Sequence, residues 1–512
     1  MKKIFILSLL AGTLFVSCNN DLLEPFTPGS LTEDVAYTSS TDLQRLMNST
    51  YGLVANREDV VFSSVFTDEC GIGFANGGQG INDNYVFFLN ISSASPDIIW
   101  TQAYIALSRA NRVIAFADKI IAATDPSNTA ELAKLRFLKA EGLTIRALLH
   151  LRIMAYFSPD LKSDTALAGV LADNIISTSD APKLRSTNGE FYTLIHKDLD
   201  AAIALFSSTV SPYSGATAKL YASANLAKGL KARAYSYKGD YPNAETWANN
   251  VINTSGLVLA NATNYASVFV TDAEPANTEV IFRLKRTLQQ SAQATNIGNG
   301  YASVTSLISG SPFYEVGRSL FNILNATPTD VRRNVIVGST SRIDPNYATS
   351  ADYRNTDVLV LAKYPGSASV GNLNSDFKVM RLSEMYFIRA EARVAAGDLT
   401  GAATAIKAVL DGRFPTAQAA PVYANATAAW KGILDQRRLE FAFEGYRFID
   451  LKRIGTLAGA AIDRDPADYS SSSSNYPGGN PGNLPLTSTK FALPIPVTEL
   501  NANPTIQQNA GY

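Results

Sequence analysis

Apolar residues recur at helical spacing over most of this chain. Between residues 98 and 121, Trp100, Tyr104, Leu107, Asn111 and Ile114 form one stripe at steps of three and four, while Ala103, Ala106, Ala110 and Ala117 form a second stripe of small side chains. Small residues let a second helix approach closely, so antiparallel helix pairs are expected to follow. Residues 41–57 predict an earlier helix, and the Gly- and Asn-rich stretch from Cys70 to Asn84 predicts a long loop.

One helical unit occurs twice. ARAYSYKGDYPNAETWANNVI, beginning at 232, aligns with AEARVAAGDLTGAATAIKAVL, beginning at 390, at an offset of 158. Ala232 and Ala390, Ala234 and Ala392, Gly239 and Gly397, Asp240 and Asp398, Ala244 and Ala402, and Val251 and Val409 coincide. Small residues where helices cross, followed by a Gly-Asp turn in which glycine ends one helix and aspartate caps the next, are the tetratricopeptide-like pattern. Such a unit buries its apolar face only by stacking on a neighbour. The fold expected is therefore mainly α, a tetratricopeptide-like helical-repeat scaffold with long irregular loops and a few short strands.

The distance between the two copies implies an insertion, expected at 257–370. There TEVIFRLK (278–285) has strand character, and the polar run from Gln289 to Gly317 reads as a long loop with interspersed aromatic residues. The resulting organisation is a leader at 1–17, a tether at 18–40, a helical region at 41–256, the loop and strand insertion at 257–370, and C-terminal helices with an irregular tail at 371–512.

The segment RRLEFAFEGYRFIDLKRIG, 437–455, carries the densest pattern of charge. In helical register Arg437, Glu440, Glu444 and Arg447 form a stripe, with Leu439, Phe443 and Tyr446 beside it and Leu434, Phe441 and Phe448 on the far side. A helix so flanked is buried, and its carboxylates need partners; arginines three residues away would supply them. Two glutamates on neighbouring turns could also act as a glycosidase-like acid and base. Neighbouring arginines favour the ionised form of both, which removes the raised pKa that an acid catalyst needs, so a structural ion ladder is expected instead.

The first eighteen residues read as an export signal. Lys2 and Lys3 precede an apolar run from Ile4 to Val16, thirteen residues, too short to cross a hydrocarbon core of about 30 Å as a helix. FVSC then ends on Cys18, which cleavage would leave as an N-terminal cysteine open to acylation (palmitate-type lipidation), as in bacterial lipoproteins. Ordinary signal cleavage and an uncleaved anchor are the alternatives. The only other cysteine is Cys70, so a lipidated Cys18 leaves no intramolecular disulfide. The composition, 46% hydrophobic and 17% charged, is ordinary for a globular protein, and the net charge of −1 without any basic run argues against nucleic acid as a partner.

Candidate chemistry is sparse. His150 and His196 are the only histidines and both fall in predicted helices, so metal and triad chemistry lack raw material, and neither a GxSxG elbow nor a phosphate loop is present. GIGFANGG from Gly71 is not followed by a helix pattern, which leaves a dinucleotide reading weak. Asp463, Asp465 and Asp468 fit a solvated acidic turn better than a calcium loop. No catalytic residue, metal or cofactor is expected. Sugar binding needs flat aromatic faces together with amides and carboxylates. Trp100, Trp247 and Trp430 all fall in helices as core residues. The loops offer Phe74, Tyr85, Tyr301, Phe313 and Tyr314, with Asn76, Gln79, Asn82, Asn84 and Asn296 as polar neighbours. A shallow site is expected on the face shared by loops 70–95 and 288–316, with Phe74, Asn76, Asn82, Tyr85, Asn296, Tyr301, Phe313 and Tyr314 as ligand-binding candidates.

Several segments resemble the SusD/RagB family of nutrient-binding outer-membrane lipoproteins, in the right order. They are IIWTQAYIALSRANRVI (98–114), AEGLTIRALLHLRIMAYF (140–157), TDVRRN (329–334), the pair Lys363 and Tyr364, MRLSEMYFIRAEARVAAGD (380–398), the arginine-rich segment, and the tail KFALPIPVTELNANPTIQQNAGY (490–512). The resemblance implies a surface lipoprotein in the outer membrane, attached through its lipid and facing the cell exterior. It would bind a nutrient, most often an oligosaccharide, and act as the lid on a SusC-like TonB-dependent outer-membrane barrel transporter, with no covalent chemistry. Two other readings stay open: a peptide ligand in the same role, and a helical-repeat scaffold that binds only a protein partner.

Overall fold

The computed structural model describes residues 32–512 apart from 55–56, 74–82, 178–179, 271–277, 291–296, 299–300, 302–312, 351–355 and 470–480. Its helices of eight or more residues are α1 (Ser40–Val54), α2 (Glu58–Phe66), α3 (Ala94–Ala123), α4 (Thr129–Phe157), α5 (Asn188–Ser207), α6 (Ala224–Lys238), α7 (Tyr241–Thr254), α8 (Arg318–Ala326), α9 (Leu382–Ala395), α10 (Leu399–Arg413), α11 (Ala426–Glu440) and α12 (Arg447–Ile454). The strands are short: β1 (Cys70–Ile72), β2 (Val280–Leu284), β3 (Tyr314–Val316), β4 (Gly366–Ser367), β5 (Gly371–Asn372) and β6 (Phe377–Arg381). They pair antiparallel in three two-stranded ladders, β1 with β3, β2 with β6 and β4 with β5.

Consecutive helices from α3 to α7 pack against one another. Local sequence sets their ends: Thr187 and Glu190 form a capping box at α5, and Asn128, Ser223 and Asn425 cap α4, α6 and α11. The small-residue stripe of α3 is buried as expected, with Ala103, Ala106, Ala110 and Ala117 at 2% exposure or less. Beneath it, Gly142 of α4 lies so close to Ile114 and Val113 that a Cβ there would meet their side chains at 3.0 and 3.3 Å.

The two repeat copies are built alike and stack directly. Gly239 adopts φ +82° and Gly397 φ +79°, the left-handed conformation that glycine reaches without steric cost. In each copy the following amide closes the helix end, Asp240 N–H to Tyr235 O at 2.9 Å and Asp398 N–H to Arg393 O at 2.8 Å. The same aspartates then cap α7 and α10. Packing of α7 against α9 brings the copies together across the intervening chain. That intervening region holds β2 where a strand was expected, and it also contains α8, just after the run read as a polar loop, which the loop and strand reading of 257–370 did not anticipate.

The arginine-rich segment is not one helix. α11 ends at Glu440, residues 441–446 form a turn with Phe443 at φ +61° and Gly445 at φ +87°, and α12 starts at Arg447. The turn breaks the register in which Arg437, Glu440, Glu444 and Arg447 would have formed one stripe.

Candidate functional site

With the register broken, the four charged residues find distant partners instead of one another. Glu440 Oε1 accepts from Arg381 Nη1 at 2.6 Å and from Arg413 Nη2 at 2.7 Å, and Glu444 Oε1 accepts from Lys363 Nζ at 2.6 Å and Arg381 Nη2 at 2.8 Å. Arg437 donates to Asp450 at 2.7 Å, and Arg447 holds Asp68 through two bonds at 2.8 and 2.7 Å. The pairing at three-residue spacing is therefore corrected to a three-dimensional network, in which Glu279 bridges Arg381 and Arg413. Burial pushes Glu440 up, yet Arg413 and Arg381 outweigh it and hold its carboxyl well below the usual range. A carboxylate so held cannot serve as a general acid near neutral pH.

Lys363 and Tyr364 grip the turn between α11 and α12. Lys363 Nζ donates to Ala442 O at 2.7 Å as well as to Glu444, and Tyr364 O–H donates to Phe443 O at 2.5 Å. Phe443 N–H in turn donates to Glu69 at 3.1 Å, immediately before β1. The signature segment thus supports the strand from which the first loop departs.

That strand and its partner define the candidate site. In the β1–β3 ladder Cys70 faces Val316, Gly71 faces Glu315 and Ile72 faces Tyr314, and Gly73 N–H extends the ladder to Phe313 O at 2.8 Å. Gly73 and Phe313, the described residues that border 74–82 and 302–312, are therefore adjacent. Tyr301 O accepts from both Phe313 N–H and Tyr314 N–H, at 2.9 and 3.0 Å, which fastens the two ends of the second segment together. The chain before 470 reaches the same root, where the Asp468 carboxylate accepts from Arg318 N–H at 2.8 Å and its carbonyl from Tyr85 O–H at 3.0 Å.

The sequence-predicted site residues divide at this root. Tyr85, Tyr301 and Tyr314 are brought together but are buried, so they are corrected from stacking candidates to supports. Arg464 covers the ring of Tyr85 at 4.0 Å, and Tyr314 lies 6.3 Å from it on centroids. Tyr301 donates its hydroxyl to Ser64 at 3.1 Å and meets the ring of Phe443 edge-on at 5.4 Å. Each offers its face to protein, the arrangement expected of a tyrosine whose hydroxyl has found a buried partner. Asn84 is buried as well and donates to Ser95 at 2.7 Å. Phe313 is the exception and remains exposed. Phe74, Asn76, Gln79, Asn82, Asn296 and Cys18, the residue expected to carry a lipid, lie outside the described residues.

The other chemically notable groups have structural engagements. His150 Nδ1 sits 2.9 Å from Arg146 O and its Nε2 accepts from Ala172 N–H at 3.2 Å, while burial and Arg146 lower its pKa to about 3. His196 stacks against Tyr235 with ring centroids 4.1 Å apart, and burial and Lys231 lower its pKa to about 4. Asp465 accepts from Tyr347 O–H at 2.9 Å, and Asp463 faces Arg438 at 3.7 Å. A separate groove of about 580 Å³ runs beside α3, lined by Trp100, Tyr104, Ile105, Arg109 and Glu499. There the Trp100 indole N–H is spent on Glu499 at 3.1 Å and the Tyr104 hydroxyl on Val170 O at 2.9 Å.

Sequence reasoning missed Arg464, Asp68, Arg381 and Arg413, because each meets its partners only across the fold. Arg464 donates to Thr67 O, Tyr85 O, Val65 O and Phe66 O, which caps the C-terminal end of α2 and fixes the chain leaving the first loop.

Comparison with known proteins places these features in context. Residues 279–512 match the model of the SusD family, and residues 31–230 match a model described as "Starch-binding associating with outer membrane". Among curated protein sequences nothing matches the chain. Among solved structures, a SusD superfamily protein from Bacteroides thetaiotaomicron superposes with a TM-score of 0.73 at 22% identity, covering 92% of this chain and 99% of that one. A SusD-like carbohydrate binding protein from Bacteroides vulgatus gives 0.71 at 17% identity, covering 92% and 98%. A laminarin binding SusD-like protein gives 0.65 at 21% identity, covering 93% and 100%. These likenesses show a shared fold along almost the whole chain.

Proposed function

We propose, from the premise that this chain belongs to the SusD/RagB family, that it is an outer-membrane lipoprotein that captures an oligosaccharide on the loops rooted at the β1–β3 ladder. It does so as the lid of a SusC-like TonB-dependent transporter, held to the membrane through a lipid on Cys18, and it catalyses no reaction. One observation carries the reading: the two predicted loops share one buried, hydrogen-bonded root, the β1–β3 ladder with Gly73 and Phe313 paired at its end. A rigid scaffold that gathers loops at one point is a common way to build a binding face.

Further support comes from the relatives, which include proteins described as carbohydrate binding and laminarin binding. The paired state of Glu440 and Glu444 leaves both glutamates structural. No helix among the described residues is long and apolar enough to cross a membrane. The proposed contacts are Phe313 with Phe74, Asn76, Asn82 and Asn296, while Tyr85, Tyr301 and Tyr314 are buried in the root. Several weak contacts along a polymer suit capture followed by release to a transporter.

Isothermal titration calorimetry of the purified protein against maltooligosaccharides, laminarin oligosaccharides and a panel of peptides tests the ligand class. Saturable heat from at least one glycan is expected. Heat from peptides alone would replace the glycan with a peptide, and silence from both would favour a scaffold that binds only protein. Co-purification with a barrel transporter from the native outer membrane tests the lid role.

A further inference from the structure

Among the described aromatic residues only Phe88 and Phe313 are strongly exposed, at 52% and 38%. Both fall within the two segments rooted at the β1–β3 ladder. Phe88 stands out because its neighbours are sunk into the core, Phe87 at 1% and Leu89 at 6%.

The backbone around it is built to hold that alternation. Phe88 N–H donates to Asp83 O at 2.8 Å and Phe87 N–H to Asn84 O at 3.3 Å, the paired bonds that close a helical turn when the penultimate residue is left-handed. That residue is normally glycine. Here it is Phe87, at φ +58°, a region that costs a bulky side chain backbone energy and is retained only where the surroundings enforce it.

The enforcement is visible on three sides. The Phe87 ring lies 4.4 Å under the Arg464 guanidinium and 5.2 Å from the ring of Phe66, and the Lys490 ammonium donates to Phe87 O. Arg464 also binds Tyr85 O at 2.7 Å, and Asn84 is tied to Ser95. Residues 84, 85 and 87 are therefore anchored, and the strained turn directs the one ring between Phe87 and Leu89 into solvent. Core packing would be served equally well by a polar residue at 88. An exposed aromatic ring on a fixed, strained support is the form that a preorganised stacking surface takes, because little conformational freedom remains to be lost on binding.

We propose that Phe88 is a ligand-contacting residue whose ring receives the apolar face of a pyranose unit, an inference that rests on the glycan-binding reading above. Phe88→Ala and Phe88→Trp, titrated beside the unaltered protein with maltooligosaccharides and laminarin oligosaccharides, test it. The alanine variant should lose about tenfold or more in affinity for the glycan that the unaltered protein binds, the size of one lost aromatic contact with apolar surface. The tryptophan variant should retain the affinity or exceed it, and thermal unfolding should be unchanged in both. Equal binding by Phe88→Ala and the unaltered protein overturns the assignment of Phe88 while the glycan reading stands. Absence of glycan binding by the unaltered protein overturns both.

Discussion

Asp68 and Arg447 stand 379 positions apart in the chain and meet in a two-bond fork, with Nε and Nη2 of the arginine 2.8 and 2.7 Å from the two carboxylate oxygens. The contact joins the end of α2 to the start of α12, next to the strand that carries the candidate site. Arg438 approaches the same carboxylate at 3.6 Å, and Asp463 N–H donates to it at 2.8 Å.

Removing the charge should therefore unfold the protein more readily. Burial alone would raise the Asp68 pKa, but Arg438 and Arg447 outweigh it and hold the carboxyl well below its ordinary 3.8. Asp68→Asn leaves buried guanidinium groups without their anion, at a cost of about 3–5 kcal/mol in urea unfolding. Because the folded pKa is depressed, the stabilisation is complete above the ordinary value and is lost as pH falls below it. The gap between the two proteins should close on acidification below about pH 4; a gap independent of pH would refute the account.

Glu141 is expected to act in the opposite sense. It is buried in α4 and accepts from Tyr51 O–H at 2.9 Å; burial pushes its pKa up to about 8 against the smaller lowering by that bond. The folded protein keeps the proton while the unfolded chain releases it near 4.5, so this group makes stability fall as pH rises from about 4.5 to 8. Its contribution is up to ~1.4 kcal/mol per pH unit within that window. Glu141→Gln should abolish the slope, and its denaturation midpoint relative to the unaltered protein should rise from pH 5 to pH 8. A constant difference would show that Glu141 is ionised in the folded state.

Phe313 and Tyr301 are joined through the backbone but should respond differently to truncation. Tyr301 is buried against Phe443 and Ser64, so Tyr301→Ala should cost about 3–5 kcal/mol, the range for a large buried aromatic residue. Phe313 is exposed, and Phe313→Ala should leave stability within about 0.5 kcal/mol while weakening glycan binding. Thermal melts and calorimetry on the two variants separate support from contact. A large stability loss in Phe313→Ala would move that residue to the supporting set.

How far the site was legible in the sequence follows from where its aromatic residues sit. The loops at 70–95 and 288–316 could be placed, because helical periodicity lapses there and glycine, asparagine and serine accumulate. Which rings face outward could not be read, since a loop has no period that assigns alternate residues to a face. Tyr85 and Phe88 are three residues apart, yet Arg464 lies over one ring while the strained turn at Phe87 exposes the other. Arg464 itself gave no signal, as its partners are carbonyls of α2 and of the loop rather than a neighbouring acid.

The helices and the repeat were set by sequence alone, because their causes are local: apolar residues at steps of three and four, aspartates that accept the backbone N–H three residues on, and glycines at 239 and 397 that reach positive φ freely. The partners of the buried charges were decided only by tertiary structure. A spacing of three and four residues would keep Glu440, Glu444 and Arg447 on one face only if the helix continued, and it stops at Glu440, before the turn at Phe443 and Gly445. Each carboxylate then pairs with whichever cation the packing of distant elements delivers: Arg381 and Arg413 for Glu440, Lys363 and Arg381 for Glu444, and Arg447 for Asp68. Desolvation demands a partner for every buried charge, but only the fold determines which one is within reach.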